Sequence, residues 1–162
     1  READQLAPDA AVGARLPVQH AARDWVRRAR EILDRGRLVV IDYVAVTADL
    51  ARRPMTEWLR TYRGHGPGGP PLQELGSQDI TCEVCVDQLA RVAPPDRDTS
   101  QADVLEAHGI SELVDEGRRA WHERPGPPDL RALTGRSRIV EAAALTDPAG
   151  LGAFRVLEWV LP

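Results

Sequence analysis

Lysine and asparagine are both missing from this 162-residue chain, so every basic side chain apart from its four histidines is arginine. That bias is expected from GC-rich coding. No apolar run approaches the roughly 20 residues of a membrane span. Arg1 opens the sequence, with no basic-then-apolar signal segment behind it, so the chain is expected to be a fragment of a longer protein. The formal net charge is -4, which gives no broad attraction to nucleic acid. Cysteine is scarce. Cys82 and Cys85 form a lone C-x-x-C, no second pair stands elsewhere, and the four histidines lack ligand spacing. A four-ligand structural zinc site is therefore not expected. Two small soft residues in a reducing cytoplasm are the plainer reading, and the predicted localisation is cytoplasmic.

What is present fits one α/β domain or a large piece of one. Val18 to Asp34 carries an apolar stripe at helical period (Val18, Ala21, Ala22, Trp25, Val26, Ala29, Ile32 and Leu33) and ends before Gly36. Leu38 to Tyr43 is a continuous β-branched run, as in a strand buried on both faces of a parallel sheet. A helix, a Gly turn and a buried strand make one unit of a doubly wound fold, and Asp42 stands at the strand end where such sheets carry ligands. A short helix is predicted over Thr47 to Arg53, before Pro54. Gly66 to Pro71 reads as loop. Ile80 to Val86 alternates like a half-buried strand and runs into a helix over Asp87 to Val92. After a break at Pro94 to Asp98, Thr99 or Ser100 is expected to cap a helix through His108, ended by Gly109. A further helix is expected over Ser111 to Glu123, a break at Pro125 to Asp129, and a helical turn to Leu133. Arg138 to Leu145 and Phe154 to Leu161 are expected to form an antiparallel strand pair. Trp25, Trp121 and Trp159 are expected in the core or an interface.

Several segments carry a resemblance. Ile41-Asp42-Tyr43-Val44 stands where one family has "IDYG" at a strand end. Trp58 to His65 matches its "TLRAYRGH". Gly76, Asp79, Ile80, Thr81 and Val84 match a "G-x-x-D-L/I-T-x-H-V-D-F" stretch. Ser100, Gln101, Leu105, Gly109 and Ile110 echo a "T-Q-x-x-F-L-x-x-x-G-I" helix start. In order and spacing, over about two thirds of its length, the chain resembles the MidA-type methyltransferases, the family of the mitochondrial complex I assembly arginine methyltransferase and its bacterial relatives. The departures are Val44 for Gly, Glu83 and Cys85 for His and Asp, and Trp58 for Thr.

The resemblance implies the C-terminal portion of a Rossmann-like methyltransferase sheet with a helical and loop insertion between its fifth and sixth strands. Residues 1–46 would give a helix and a buried strand, 47–135 the insertion on the substrate side, and 136–162 the terminal strand pair. The seventh strand, Phe154 to Leu161, would flank the fifth, Leu38 to Tyr43. The implied cofactor is S-adenosylmethionine, but the strand-Gly-loop-helix element that would hold it is absent; Gly66, Gly68 and Gly69 lie in a Pro-rich loop. The cofactor site is therefore expected in a missing N-terminal half, with no cofactor-binding residue here.

Tyr62 and His65 are the candidate catalytic residues, because a phenol and an imidazole on one loop can orient a polar acceptor and handle its proton. Asp42, Tyr43, Arg63, Asp79 and Thr81 are candidate substrate-binding residues. For an arginine acceptor, Asp42, Asp79 and Glu83 are the carboxylates available to a guanidinium. The expected partners are a protein substrate, the missing half, and a second copy where the open edge of Leu38 to Tyr43 pairs with itself. No nucleic acid or membrane partner is expected. A non-catalytic interaction module is the alternative, and a redox or metal protein built on Cys82 and Cys85 is a third reading.

Overall fold

A computed structural model describes residues 1–123 and 126–162. The chain divides into two compact units. The first comprises residues 1–38, 42–95 and 160–162; the second comprises 39–41 and 96–159.

In the first unit, helix α1 (Glu2–Leu6) precedes α2 (His20–Ile32), which lies inside the helix predicted from its apolar stripe. Only Val26 of that stripe is buried; Trp25 is 55% exposed and Ile32 80% exposed, so of the core or interface position expected for Trp25 the structure excludes the core. Strand β1 (Gly36–Asp42), whose residues 39–41 belong to the second unit, ends at Asp42 as predicted. Its burial alternates, though, with Val39 and Ile41 about half exposed, where burial on both faces was expected.

Val84 N–H donates to the Tyr43 carbonyl at 2.7 Å. Immediately after, β2 (Val44–Ala45) pairs in parallel with a later two-residue strand, aligning Val44 with Val84 and Ala45 with Cys85. Short helices α3 (Thr47–Leu50) and α4 (Met55–Trp58) follow, then strand β3 (Leu59–Arg63). Gly64 and His65 turn the chain into β4 (Gly66–Pro67), and both have positive φ, 53° and 68°. That backbone suits a tight two-residue hairpin turn, and Gly64 adopts it without a Cβ penalty. The predicted loop therefore begins as a hairpin. On its other side β3 pairs antiparallel with β5 (Asp79–Cys82), and β6 (Val84–Cys85) leads into α5 (Val86–Ala90).

Leu50, Trp58 and Cys85 form the apolar centre, with Met55, Leu59 and Cys82 against it. A buried polar network fastens the chain around that centre. Gln88 Nε2 donates to the Pro17 carbonyl and to Thr47 Oγ1, at 2.8 and 2.9 Å. Its Oε1 accepts from Gln19 N at 2.8 Å. Gln19 then spans the Glu83 carbonyl (2.7 Å) and Cys85 N–H (2.8 Å).

The second unit holds β7 (Arg97–Ser100), α6 (Gln101–Ala107), α7 (Ile110–His122), α8 (Leu130–Thr146), a 3-10 turn at Leu151–Ala153 and β8 (Arg155–Leu161). The sheet order is β1-β8-β7, so the expected pairing of the last strand with Leu38 to Tyr43 is present. Its second neighbour is not the expected one. Residues 138–145 lie inside α8, so the terminal strand pair predicted for 136–162 does not form. Ala132, Gly135 and Ala142 recur at helical spacing and are buried, and Asp129 caps the start by accepting from Ala132 N–H at 2.8 Å. The antiparallel partner of β8 is β7, four polar residues in a stretch expected to be a break and a helix cap, aligned from Arg97 with Glu158 to Ser100 with Arg155.

Local capping was read correctly for α6. Ser100 Oγ accepts from Asp103 N–H at 3.1 Å, and Gly109 just beyond takes φ +86°. Helices α7 and α8 meet at Gly117 and Gly135, where a Cβ on Gly117 would lie 2.5 Å from the Gly135 carbonyl oxygen. Of the break expected at Pro125 to Asp129, Pro125 lies outside the described residues. Among the described residues, no helix is long and apolar enough to cross a membrane.

Candidate functional site

In the first unit a cleft of about 400 Å³ opens beside the end of β1. Its walls come from three stretches of chain. Asp42 and Tyr43 supply one, Trp58, Arg60 and Tyr62 the second, and Thr81 to Glu83 the third. The two tyrosines of the whole sequence meet here.

The register of β3 on β5 explains which side chains gather. Arg60 lies opposite Thr81, and Tyr62 opposite Asp79. Directly opposed residues share a face and alternate residues return to it, so Arg60, Tyr62, Asp79 and Thr81 face one way. Leu59, Thr61 and Arg63 face the other. Arg63 is engaged there: its guanidinium bonds Glu74 and the Ser77 hydroxyl, and its Nε donates to the Ser77 carbonyl at 3.3 Å. His65 sits at the exposed hairpin turn and does not line the cleft. The residues proposed from sequence thus separate. Asp42, Tyr43, Tyr62 and Thr81 are brought together; Asp79 shares their face but lies outside the lining; Arg63 and His65 belong to the hairpin.

Charge inside the cleft is arranged unevenly. Asp42 Oδ1 accepts the Tyr43 N–H at 2.7 Å, and its second oxygen has no partner among the described residues. Glu83 is committed to Arg53, which grips both of its carboxylate oxygens at 3.0 and 2.8 Å. That fork raises the Arg53 pKa above its ordinary value, chiefly through its hydrogen bond to Glu83. Arg60 makes only a long 3.5 Å contact to the Glu57 carbonyl, which leaves its guanidinium available. Trp58 is 3% exposed, and its indole Nε1 is a buried donor without an acceptor. Cys82 also lines the cleft, with its thiol pKa raised by burial, while the deeper Cys85 thiol is pushed up to about 11 by burial. Both stay protonated at neutral pH, which makes poor nucleophiles of them.

Sequence reasoning passed over Arg60, Trp58 and Arg53. Arg60 carried a usable signal, since it stands two residues before Tyr62 on the same strand. Trp58 had been read only as a departure from a family pattern. Nothing local marks Arg53, which meets Glu83 across 30 residues.

A nucleotide-type cofactor needs an open cradle of backbone, usually glycine-rich, after a strand. The one stretch dense in glycine fails that test. A Cβ at Gly68 would lie 2.6 Å from Gln78 Oε1 and 3.0 Å from Thr61, so its space is filled by the chain's own side chains.

Two crystal structures from Burkholderia thailandensis share this fold. One is an uncharacterized protein, 26% identical, with a TM-score of 0.65 over 88% of this chain and 37% of its own. The other, a member of the same superfamily, is bound to S-adenosyl-homocysteine; it is 26% identical, with a TM-score of 0.62 over 88% of this chain and 36% of its own. The chain therefore spans little more than a third of either structure. No curated protein matches it. Residues 2–104, well over half of the chain and the whole of the cleft, match the family described as "Putative S-adenosyl-L-methionine-dependent methyltransferase", and the chain belongs to that family.

Proposed function

We propose that this chain is the acceptor side of an S-adenosylmethionine-dependent methyltransferase that modifies a protein arginine, with the cleft at the end of β1 as the acceptor pocket. The observation that carries this reading is the convergence of Asp42, Thr81, Arg60 and both tyrosines on one cleft.

A guanidinium presents only donors, so a carboxylate must receive it. Glu83 is taken by Arg53 and Asp79 lies outside the lining, which leaves Asp42. One Asp42 oxygen is fixed by Tyr43 N–H, and that bond orients the other toward a ligand N–H. The Tyr62 phenolic oxygen can accept a second N–H and limit rotation of the acceptor group. Alignment of this kind supplies much of the rate in a transfer that needs little covalent help. The acceptor nitrogen must also lose a proton, and Asp42 is the group placed to take it.

S-adenosylmethionine supplies the electrophilic methyl group in this chemistry. Its binding residues are assigned to the part of the protein outside this chain, in line with the short span shared with the crystal structures. That part and the protein substrate are the partners of this reading. A strand from that part or from a second copy would pair with the open backbone edge of β1, whose other neighbour is β8.

In the protein carrying both parts, Tyr62→Phe and Asp42→Asn are expected to lower methyl transfer to an arginine peptide at least about tenfold, with melting temperature unchanged. His65→Ala reads whether the hairpin imidazole reaches the acceptor as well. Loss of stability without selective loss of turnover would make the cleft structural. Calorimetry of this chain alone is expected to give no heat with S-adenosylmethionine; micromolar binding would return the cofactor site to these residues.

A further inference from the structure

Arg60 sets a problem for the cleft it lines. It is exposed, and it stands on β3 opposite Thr81 and two residues before Tyr62. An arginine acceptor entering the cleft carries the same charge. Like charges brought into one pocket oppose binding, and a site that accepts the second has to neutralise the first.

The chain itself does not neutralise Arg60, whose one contact is the long 3.5 Å approach to the Glu57 carbonyl. The arginines on either side show what neutralisation looks like here. Arg53 grips Glu83 with both terminal nitrogens and meets Glu57 at 3.3 Å, and Arg63 is bonded to Glu74. Those pairings take up Glu57, Glu74 and Glu83. Asp79 lies diagonally across the β3–β5 pair on the face of Arg60, within reach of a long side chain, yet the two form no ion pair. Asp42 has one oxygen on the Tyr43 N–H and the other open. The cleft therefore presents one open carboxylate and one open guanidinium. A guanidinium acceptor uses the first and leaves the second facing it.

We propose that the protein substrate brings its own counter-charge, an acidic side chain next to the acceptor arginine, which Arg60 receives while Asp42 receives the arginine. The proposal rests on the cleft being the acceptor pocket. It adds that Arg60 is a specificity-determining residue, which favours arginines flanked by acids and turns away arginines flanked by bases. A carboxylate suits it because the parallel N–H groups of a guanidinium match two carboxylate oxygens.

Two isosteric peptides isolate the charge. In the protein carrying both parts, kcat/KM for Ac-Asp-Arg-Asp-NH2 is expected to exceed that for Ac-Asn-Arg-Asn-NH2 about tenfold. The difference should lie mainly in KM and shrink as salt is raised. In Arg60→Gln the ratio is expected to collapse toward one; a ratio that survives this change overturns the proposal, whatever happens to turnover itself. Arg60→Glu is expected to invert the preference, so that Ac-Lys-Arg-Lys-NH2 outruns the Asp-flanked peptide. An Arg60 that served only the fold would lower melting temperature, or turnover on all three peptides alike, and leave their order as in the parent; the proposal would then fail.

The acceptor reading fails separately. If Asp42→Asn and Tyr62→Phe lower transfer to every peptide while the parent does not distinguish Asp from Asn flanks, the acceptor cleft stands and the Arg60 reading falls. If those two changes leave transfer as it was, both fall.

Discussion

The two units are held together by opposite means. In the first, fixed polar side chains do the fastening: Gln88 alone ties Pro17, Gln19 and Thr47 together, and Arg53 grips Glu83. In the second, helices α7 and α8 approach until only the absence of side chains lets them touch, at Gly117 and Gly135. A polar network fixes directions, because each hydrogen bond demands a geometry. Close backbone contact fixes the distance between two helices and sets no side-chain direction. The cleft lies in the unit whose side chains are held by the network, which is where a preorganised site is expected.

The sharpest way to break the comparison is Gly117→Val. On an uncrowded helix, replacing glycine stabilises by up to about 1 kcal/mol. Here even a Cβ meets backbone at 2.5 Å, so the helices must part and a loss of about 3 kcal/mol is expected. Urea unfolding measures it. A gain in stability would show that the helices do not meet at these glycines.

Next in size is Gln88→Leu. The side chain is fully buried, and its loss strands the Gln19 N–H and the Pro17 carbonyl. A cost of about 2–3 kcal/mol is expected. The same change should loosen Gln19, and with it the Glu83 and Cys85 backbone beside the cleft. Faster amide exchange at Cys85 reads that directly. If Gln88→Leu unfolds as the parent does, the network is not what fastens this unit.

Glu83→Gln is milder. It keeps the shape and removes the charge that holds Arg53, whose side chain is about one third exposed. Solvent screening limits the loss to about 1 kcal/mol. The informative readout is Arg53, which is freed toward Glu57, its other partner at 3.3 Å. A double substitution with Glu57→Gln should therefore cost more than the sum of the two singles; strict additivity would deny that they share one arginine.

The same contrast explains what was legible in the sequence. Features written by near neighbours were read well. The Ser100 cap, the Gly109 stop and the end of β1 at Asp42 depend on residues within a few positions. Features written by distant contacts were not. Strand β7 is polar and short, and only β8 makes it a strand. Residues 138–145 have the composition of a strand or a helix, and the seam through Gly117 decides for helix. Of the candidate residues, Asp42, Tyr43, Tyr62 and Thr81, to which strand ends and motif matches point, line one cleft. Arg63 and His65 were drawn in by the same motif, yet the two-residue alternation of β3 and the hairpin turn place them elsewhere. The orphan indole of Trp58 could not be seen at all, since a missing partner is a property of the folded chain.

The last expected effect, confined to high pH, concerns Cys85, which lies in both the apolar centre and the polar network of the first unit. Its side chain sits in the apolar centre, while its N–H is held by Gln19. Burial raises its thiol from an ordinary 9.0 to about 11. An acid whose folded pKa lies above its unfolded one keeps its proton longer in the fold. The unfolded chain therefore gains by ionising first. Stability is intact below about pH 9 and declines as pH rises through the window to about 11. Cys85→Ala removes that ionisation, so the gap in melting temperature between parent and variant should narrow between pH 8 and pH 11. Ionisable groups common to both proteins cancel in the comparison. Iodoacetamide should meanwhile label Cys82, which is partly exposed, ahead of Cys85 in the native chain. A gap that stays constant with pH, or equal labelling of the two thiols, would show that the centre of this unit admits water freely, and the network around Gln19 would lose its role as the seal.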